Sequence, residues 1–260
     1  MKLSEYTGLK APHILLWGEV GTGKTAFAET LGERCELLDL DNGSGTGLGL
    51  KDKYYAARCA VEVKKFPEPQ PHIRATQFDA VKRYVIDVAN RISAKKYPYD
   101  ALVIDSLSTL SDAAVRQIMY NSGKIGGTPE IQHWGMAFNE VKNLLAIVNS
   151  LEIVTVLVAH EQVKSTGSGA TKKDSLEIAT PGKNLPSQIC RYYDEIWYLD
   201  VAPAGGNKVK YTLKTLGDGT IPARSRLGLP TNTDITSVGL WELLATLGYK
   251  PPLREKPPVT

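Results

Sequence analysis

The sequence predicts an α/β fold, with a mostly parallel β-sheet and helices on both of its faces. Two observations support this class. Short apolar runs alternate with longer segments of helical periodicity, and glycine-rich or polar residues follow the runs. The runs that indicate buried strands are His13–Trp17, Glu36–Asp41, Asp100–Asp105 and Ile153–Ala159. Because parallel sheets bind ligands at the carboxyl ends of their strands, the functional site is expected just after these runs.

Helices and connectors are expected between the strands. Residues Ala26–Arg34 have a helix-forming composition, and the segment from Tyr54 to Val63 indicates a strand or a hairpin arm. Prolines between residues 67 and 71 then require an extended connector. A helix is expected to begin near Thr76, because apolar residues recur at helical spacing as far as Ile92.

The second half of the chain combines one clear helix with a region of unusual composition. Thr128-Pro129-Glu130 is expected to start the helix whose apolar stripe runs from Ile131 to Val148. The stretch from Val163 to Gly182 is polar, glycine-rich and too long for an ordinary connection, so we expect it to be functional or disordered. Glu195–Val201 and Lys208–Thr215 indicate two further strands, which are antiparallel additions at the C-terminal side. We expect one domain over residues 1–248 and a proline-rich, disordered tail over residues 249–260.

Composition excludes several classes of protein. The 260 residues carry 31 basic and 28 acidic side chains, and a net charge of +3 does not by itself indicate a nucleic-acid partner. The longest apolar run is far shorter than the roughly 20 residues of a membrane helix, and no signal segment opens the chain. We therefore expect a cytoplasmic protein with no membrane partner. Three dispersed cysteines, Cys35, Cys59 and Cys190, suit neither a disulfide framework nor a metal cluster.

The segment from Gly18 to Thr25 matches the phosphate-loop motif G-x-x-x-x-G-K-[ST] in full, directly between a predicted strand and a predicted helix. Its glycines let backbone amides surround a triphosphate, with Lys24 as a mobile cation and Thr25 as a Mg²⁺ ligand. The motif therefore predicts ATP and Mg²⁺ as cofactors. The expected nucleotide-binding residues are Gly18, Glu19, Val20, Gly21, Thr22, Gly23, Lys24, Thr25 and Ala26.

Asp105 ends an apolar run, which is the form of a Walker B segment, and we expect it to bind Mg²⁺ together with Thr25. The next residue is Ser106, where many ring ATPases have a glutamate. The carboxylate that activates water must therefore come from elsewhere in the chain.

Three carboxylates are candidates for this role. Asp41 is the first, Glu161 the second and Asp39 the third, and a turn-capping role stays open for Asp41. His160, just past a predicted strand, is either a sensor of the γ-phosphate or a plain surface histidine.

The order of these features resembles the RecA-like core of P-loop ATPases. It comprises the phosphate loop, a strand ending Asp39-Leu40-Asp41, the Asp105-Ser106 segment, a polar residue after the next strand and then a long loop. Within that class the chain is similar to phage-encoded nucleotide-binding AAA-domain ATPases related to the single-strand-annealing recombinases. The likeness covers roughly residues 14–229, and the segment from Leu213 to Leu229 resembles the phage branch.

The resemblance implies roles for several residues. Asp41 falls where RecA-like enzymes have a catalytic glutamate, and His160-Glu161 falls where they have a γ-phosphate-sensing glutamine, so both positions depart from the pattern. The two DNA-binding loops of these enzymes would correspond to about Asn121–Gly127 and Val163–Gly182.

The composition of the second loop is compatible with DNA binding. From Val163 to Lys173 it has three lysines and no acid, which suits a phosphate backbone, but it has no aromatic residue on which bases could stack. A solvated flexible loop explains the composition equally well. Together with the resemblance, the basic composition of this loop predicts single-stranded DNA as a partner. A single-strand-binding protein is a further candidate partner. The expected DNA-binding residues are Lys164, Lys172, Lys173 and Lys183.

A second basic segment alternates lysines with apolar residues along the strand that ends at Lys214. An exposed charged face explains this pattern. In RecA-like assemblies, however, a lysine near this position reaches the γ-phosphate of the neighbouring subunit. Lys214 is the first choice for that role, and Arg224 and Arg226 are alternates.

The sequence therefore predicts an ATPase that forms rings or filaments on single-stranded DNA and promotes annealing or strand pairing in phage recombination, in the host cytoplasm. The expected catalytic residues are Lys24, Asp41, His160, Glu161, Lys214, Arg224 and Arg226. One alternative is an ATP-dependent assembly or adaptor protein without DNA affinity. Another is a nucleotide or small-molecule kinase, which needs an arginine-rich lid that the middle of this chain lacks.

Overall fold

The computed structural model describes residues 10–167, 172–181, 185–206 and 208–250. Within these residues nine strands form the sheet. They are β1 His13–Gly18, β2 Cys35–Asp39, β3 Glu62–Lys65, β4 Ala101–Asp105, β5 Val154–Thr166, β6 Lys173–Ile178, β7 Glu195–Pro203, β8 Val209–Lys214 and β9 Asn232–Asp234. The helices are α1 Lys24–Ala28, α2 Tyr55–Cys59, α3 Gln77–Ser93, α4 Leu107–Asn121, α5 Ile131–Val148, α6 Leu185–Ile189 and α7 Leu240–Thr246.

The strand order is β3-β2-β4-β5-β1-β7-β8-β9, and β6 pairs with the outer part of β5. Strands from β3 to β7 in this order are parallel, whereas β6, β8 and β9 pair antiparallel with their neighbours. In the parallel register Asp39 lies beside Asp105, and Gly18 lies beside His160. The ends of four central strands thus meet at one edge of the sheet, where the sequence predicts the site.

Helices cover both faces of the sheet. On one face α3, α4 and α5 bury residues such as Phe78, Leu110 and Leu144 against Trp17 and Ile104. On the other face α1 and α7 contribute a second apolar cluster that includes the residues Phe27, Leu31, Leu240 and Leu244. The predicted α/β class, with a mostly parallel sheet and antiparallel additions at the C-terminal side, is confirmed.

Several predicted elements differ in type or extent. The helix expected over Ala26–Arg34 is short, because α1 ends at Ala28 and continues as a 3-10 segment in which Gly32 has a φ of 64°. The segment from Tyr54 to Val63 holds a helical turn, α2, before the edge strand β3. The helix expected from Thr128 begins later, at Ile131, and the backbone N–H of Glu130 donates to His133 Nδ1 at 3.0 Å.

The largest correction concerns the region from Val163 to Gly182. In the part of this region that the structure describes, β5 continues to Thr166 and pairs antiparallel with β6, with Glu161 opposite Ile178 and Thr166 opposite Lys173. Residues 168–171 and 182–184 lie outside the described part of the chain.

The C-terminal boundary also shifts. Tyr249, which was expected to begin the tail, is buried in the cluster on the α1 and α7 face and donates its backbone N–H to the Leu244 carbonyl at 3.0 Å. The rest of the predicted tail, from residue 251, lies outside the described residues. Of the helices in the described ranges, none has the length and apolarity that crossing a lipid bilayer demands.

Candidate nucleotide site

The phosphate loop joins β1 to α1 and has glycine wherever its backbone requires it. Gly21 and Gly23 have φ values of 85° and 88°, in the left-handed region that other residues rarely adopt. At Gly18 a Cβ atom would lie 2.5 Å from the Leu199 carbonyl oxygen, so β7 excludes any side chain there. Val20, at the tip of the loop, is 75% exposed. The chain therefore forms a narrow turn in which little side-chain bulk covers the backbone, so a ligand can come close to the backbone amides.

Lys24 begins α1 and points back into this loop. Its ammonium donates to the carbonyl oxygens of Gly18 at 3.0 Å and Glu19 at 2.6 Å, and the residue is only 4% exposed. Burial lowers the pKa of Lys24 to about 8, although nearby carboxylates, first Asp105 and then Glu161, oppose the shift. The loop thus holds a buried cation that has backbone acceptors and no direct carboxylate partner among the described residues.

Thr25 and Asp105 meet beside this cation. The Thr25 hydroxyl donates to Asp105 Oδ2 at 2.6 Å, and Asp105 is 3% exposed at the end of β4. Burial raises the pKa of Asp105 to about 6, and the hydrogen bond from Thr25 limits the rise. A hydroxyl and a buried carboxylate side by side are oxygen ligands of the type that Mg²⁺ prefers, so these residues fit the expected metal. Bound there, Mg²⁺ would neutralise negative charge on a triphosphate.

Asp41 lies at the centre of a hydrogen-bonded cluster next to Asp105. Its Oδ2 accepts from the Ser106 hydroxyl at 2.8 Å and lies 3.3 Å from His160 Nε2. Burial raises the pKa of Asp41, but the polar groups of His160, Thr109 and Ser106 around the carboxylate outweigh this effect and the net shift is downward. Its Oδ1 is buried and has no hydrogen-bond partner among the described residues, and neither has His160 Nδ1. The cluster therefore contains an ionised carboxylate with one oxygen held in place and one buried oxygen that has no hydrogen-bond partner among the described residues.

Glu161 lies on β5, between the strands that carry Asp105 and the phosphate loop, and its charge also raises the pKa of Lys24. Its Oε2 accepts a hydrogen bond from the Tyr198 hydroxyl at 2.9 Å. The Lys214 ammonium lies 5.3 Å from the centre of the Tyr198 ring and 2.8 Å from Asp200 Oδ2. Lys214 is thus linked to Glu161 through the ring of Tyr198, and its ion-pair partner is Asp200 of the same chain.

The other predicted site residues lie elsewhere or have local roles. Asp39 accepts from the backbone N–H groups of Gly43 and Ser44, at 3.1 and 3.2 Å, which holds the loop after β2. Arg224 donates to the carbonyl oxygens of Cys190 and Tyr193, and Arg226 pairs with Asp194. Asp194 directly precedes β7, whose first residue lies beside Ile14, so Arg226 is near the edge of the sheet opposite the phosphate loop.

Two of the lysines predicted to bind DNA have acidic partners. Lys164 lies 3.1 Å from Glu177 and Lys172 lies 3.6 Å from Asp174. Lys173 is exposed at the start of β6. Lys183, the fourth predicted residue, lies outside the described part of the chain.

Sequence reasoning missed two positioning contacts. Tyr198 holds Glu161 from β7, and only its place in an apolar strand was visible in the sequence. Ser108, in the first turn of α4, accepts from the backbone N–H of His160 at 3.2 Å and donates to the Ala179 carbonyl at 2.8 Å. No motif marks either residue, because each acts through a strand distant in sequence.

A glycine loop around a buried lysine, with an adjoining Thr–Asp pair at the edge of a parallel sheet, defines a P-loop ATPase. The chain belongs to the AAA domain family, whose model matches residues 10–227. No curated protein matches the chain.

Solved structures with a similar fold include an ATPase from the type III secretion system of pathogenic bacteria and the flagellar accessory protein FlaH from Methanocaldococcus jannaschii. The first is 12% identical with a TM-score of 0.45, and the match covers 74% of this chain and 52% of that one. The chain therefore spans about half the length of the secretion ATPase. FlaH is 12% identical with a TM-score of 0.44, and the match covers 87% and 85% of the two chains.

Proposed function

We propose that the chain hydrolyses ATP with Asp41 as the carboxylate that orients the attacking water. The observation that carries this assignment is the state of the Asp41 carboxylate. Ser106 and His160 hold Oδ2, while Oδ1 is buried without a partner among the described residues. A carboxylate whose pKa is lowered stays ionised at neutral pH and can accept a hydrogen bond from the attacking water.

Asp41→Asn tests this role, because the amide keeps the size of the side chain and removes the basic oxygen. We expect ATP turnover to fall by about 10²- to 10⁴-fold, with ATP affinity nearly unchanged. Glu161→Gln is the matched variant, since Glu161 is the second candidate and already accepts from Tyr198. Full activity of Asp41→Asn together with an inactive Glu161→Gln would assign the role to Glu161.

We also propose that a second copy of the chain completes the site. The negative charge around Lys24 comes from four carboxylates, each of which raises its pKa: Asp105, Glu161, Glu19 and Asp41. A triphosphate adds further negative charge, and Mg²⁺ and Lys24 together only partly offset it. A cation supplied across a subunit interface would stabilise the charge on the transferring phosphoryl group.

Lys214 remains the first choice for this cation, because its side chain is one-third exposed and its partner Asp200 is itself exposed. Arg224 is committed to carbonyl groups of its own chain, and Arg226 is the remaining alternate. We expect Lys214→Ala to abolish turnover and to spare ATP binding. Lys210→Ala is the control, since Lys210 lies on the same strand and pairs with Asp234 at 3.6 Å. Wild-type turnover in Lys214→Ala would refute the role.

We propose single-stranded DNA as the partner, in a phage recombination process that includes annealing or strand pairing. The support is the resemblance noted from the motifs and the continuity of β5, which runs from His160 and Glu161 at the site into the exposed hairpin with β6. The acidic partners of Lys164 and Lys172 reduce the charge that this hairpin offers. Two measurements test the proposal: ATP turnover with and without single-stranded DNA, and DNA binding with and without ATP. No DNA binding in either nucleotide state would refute it.

The same ion pairs favour an alternative function, a nucleotide-dependent assembly or adaptor protein that does not bind DNA. In that case ATP would change the oligomeric state strongly, and DNA would affect neither turnover nor assembly. Sedimentation with and without ATP and DNA distinguishes the two functions.

A further inference from the structure

The segment Asn42–Leu50, which we call the β2 loop, directly follows Asp41 and has glycine at every second position. Three consecutive N–H groups of this loop donate to carboxylates of the same chain. Asp39 on β2 accepts the first two, and Glu29 Oε1 accepts the third, from Gly45 at 3.0 Å. The position of the loop therefore depends on one carboxylate from its own strand and on one from a different part of the fold.

Glu29 belongs to the end of the helix that begins in the phosphate loop. It directly follows α1, whose first residue is Lys24, and it is 2% exposed. A Cβ atom on Gly47 of the β2 loop would be 2.4 Å from Glu29 Oε2 and 3.1 Å from the Ala26 Cβ atom. The backbone of the β2 loop thus packs directly against α1 and the Glu29 carboxylate, and only glycine fits at this contact.

The Glu29 carboxylate is in a costly position. Its Oε2 is buried and has no hydrogen-bond partner in the part of the chain that the structure describes. Burial raises the pKa of Glu29, although the N–H of Gly45 and the charge of Arg58 oppose the shift. An apolar side chain of similar size would avoid this desolvation cost, but it could not accept the hydrogen bond from the loop. The contact with Gly45 is therefore the interaction for which a carboxyl group is needed there.

We infer that Glu29 is a positioning residue for Asp41, because it attaches the β2 loop to the end of α1. Lys24 and Thr25 begin the same helix, so this contact connects the expected phosphate-binding residues with the carboxylate that orients water. The inference rests on the proposed function, in which Asp41 has that role. A displacement of about 1 Å in such a group can lower turnover about 10²-fold, even when its cause lies away from the reacting atoms.

Glu29→Leu tests the inference, because it fills a similar volume and removes both acceptor oxygens. We expect ATP turnover to fall about 10- to 100-fold, while calorimetric ATP affinity stays within about threefold of the wild type. Glu29→Gln keeps an acceptor for the Gly45 N–H and should restore most of the turnover. Glu33→Leu, at an exposed residue of the same 3-10 segment, is the control and should match the wild type.

Gly47→Ala disturbs the same contact from the side of the loop, in case Glu29→Leu folds poorly. Its Cβ atom would displace the Glu29 carboxylate, and we expect a similar loss of turnover with ATP affinity again preserved. Gly49→Ala is the matched control, since no atom lies within 4 Å of its Cβ position.

A double variant separates positioning of Asp41 from a general structural effect. If Glu29 acts through Asp41, Glu29→Leu should lower single-turnover phosphate release no further in a protein that already carries Asp41→Asn. An equal fractional loss in both backgrounds would overturn the inference, and so would wild-type turnover in Glu29→Leu and Gly47→Ala. Failure of the proposed function gives a different result, because Asp41→Asn alone would then keep full activity.

Discussion

The phosphate loop and the β5–β6 hairpin are both polar, glycine-containing segments that follow a buried strand, yet only the first was predicted in detail. In the phosphate loop Gly21 and Gly23 meet a local requirement, because the backbone has a positive φ at both positions. In the hairpin the structure depends on pairing between Glu161–Thr166 and Lys173–Ile178. Local backbone requirements can be read from adjacent residues, whereas strand pairing depends on partners further along the chain.

The lysines of the phosphate loop and of the β5–β6 hairpin differ in burial and in their hydrogen-bond and ion-pair partners. Lys24 is buried and bonded to carbonyl oxygens, and the negative charges near it belong to the site itself. Lys164 and Lys172 are exposed and pair with Glu177 and Asp174, which lie just beyond the acid-free segment Val163–Lys173. A basic composition therefore indicates an anion site only after the nearby strands have been placed.

The largest expected effect is at Lys24. Lys24→Ala removes the cation that the loop holds for the phosphates, and we expect turnover to fall by about 10³-fold or more, with weaker ATP binding. Lys51→Ala is the matched control, because the Lys51 ammonium lies over the Tyr55 ring away from the loop. Steady-state phosphate release measures both variants. Comparable turnover in the Lys24 variant and the wild type would show that this loop is not the site.

Gly18→Ala tests whether backbone geometry, as well as charge, defines the loop. The new Cβ atom would be 2.5 Å from the Leu199 carbonyl oxygen, and we expect a loss of about 3 kcal/mol in unfolding free energy. Gly21→Ala is the comparison, since no atom lies within 4 Å of its Cβ position. It should cost only about 1–2 kcal/mol, from its left-handed conformation. Chemical denaturation measures both values, and equal losses would contradict a specific role for the β7 contact.

Much of the fold and the phosphate site could be predicted because their signals are local. Apolar runs located the central strands, and the spacing of Gly18, Lys24 and Thr25 indicated both the turn and its chemistry. The contacts of Asp41 could not be predicted, since His160 is 119 residues away and meets it only through the sheet order. Contacts between residues on different strands can be predicted only after the order of the strands in the sheet is known.

The smallest expected effect tests the hairpin. Glu177 lies 3.1 Å from Lys164 and also accepts from Gln162 at 3.0 Å. Glu177→Gln keeps the shape of the side chain and releases the charge of Lys164. Because the pair is largely exposed on the lysine side, we expect a change in unfolding free energy of less than about 1 kcal/mol.

If the hairpin contacts a nucleic-acid backbone, Glu177→Gln should raise the affinity for single-stranded DNA severalfold and steepen its salt dependence by about one released ion. Glu152→Gln is the matched control, since it removes the same charge just before β5, at the opposite edge of the sheet. Fluorescence anisotropy over a salt series measures both variants. An equal gain in the two variants would indicate only a general charge effect, and it would place the DNA contact, if the protein has one, away from the hairpin.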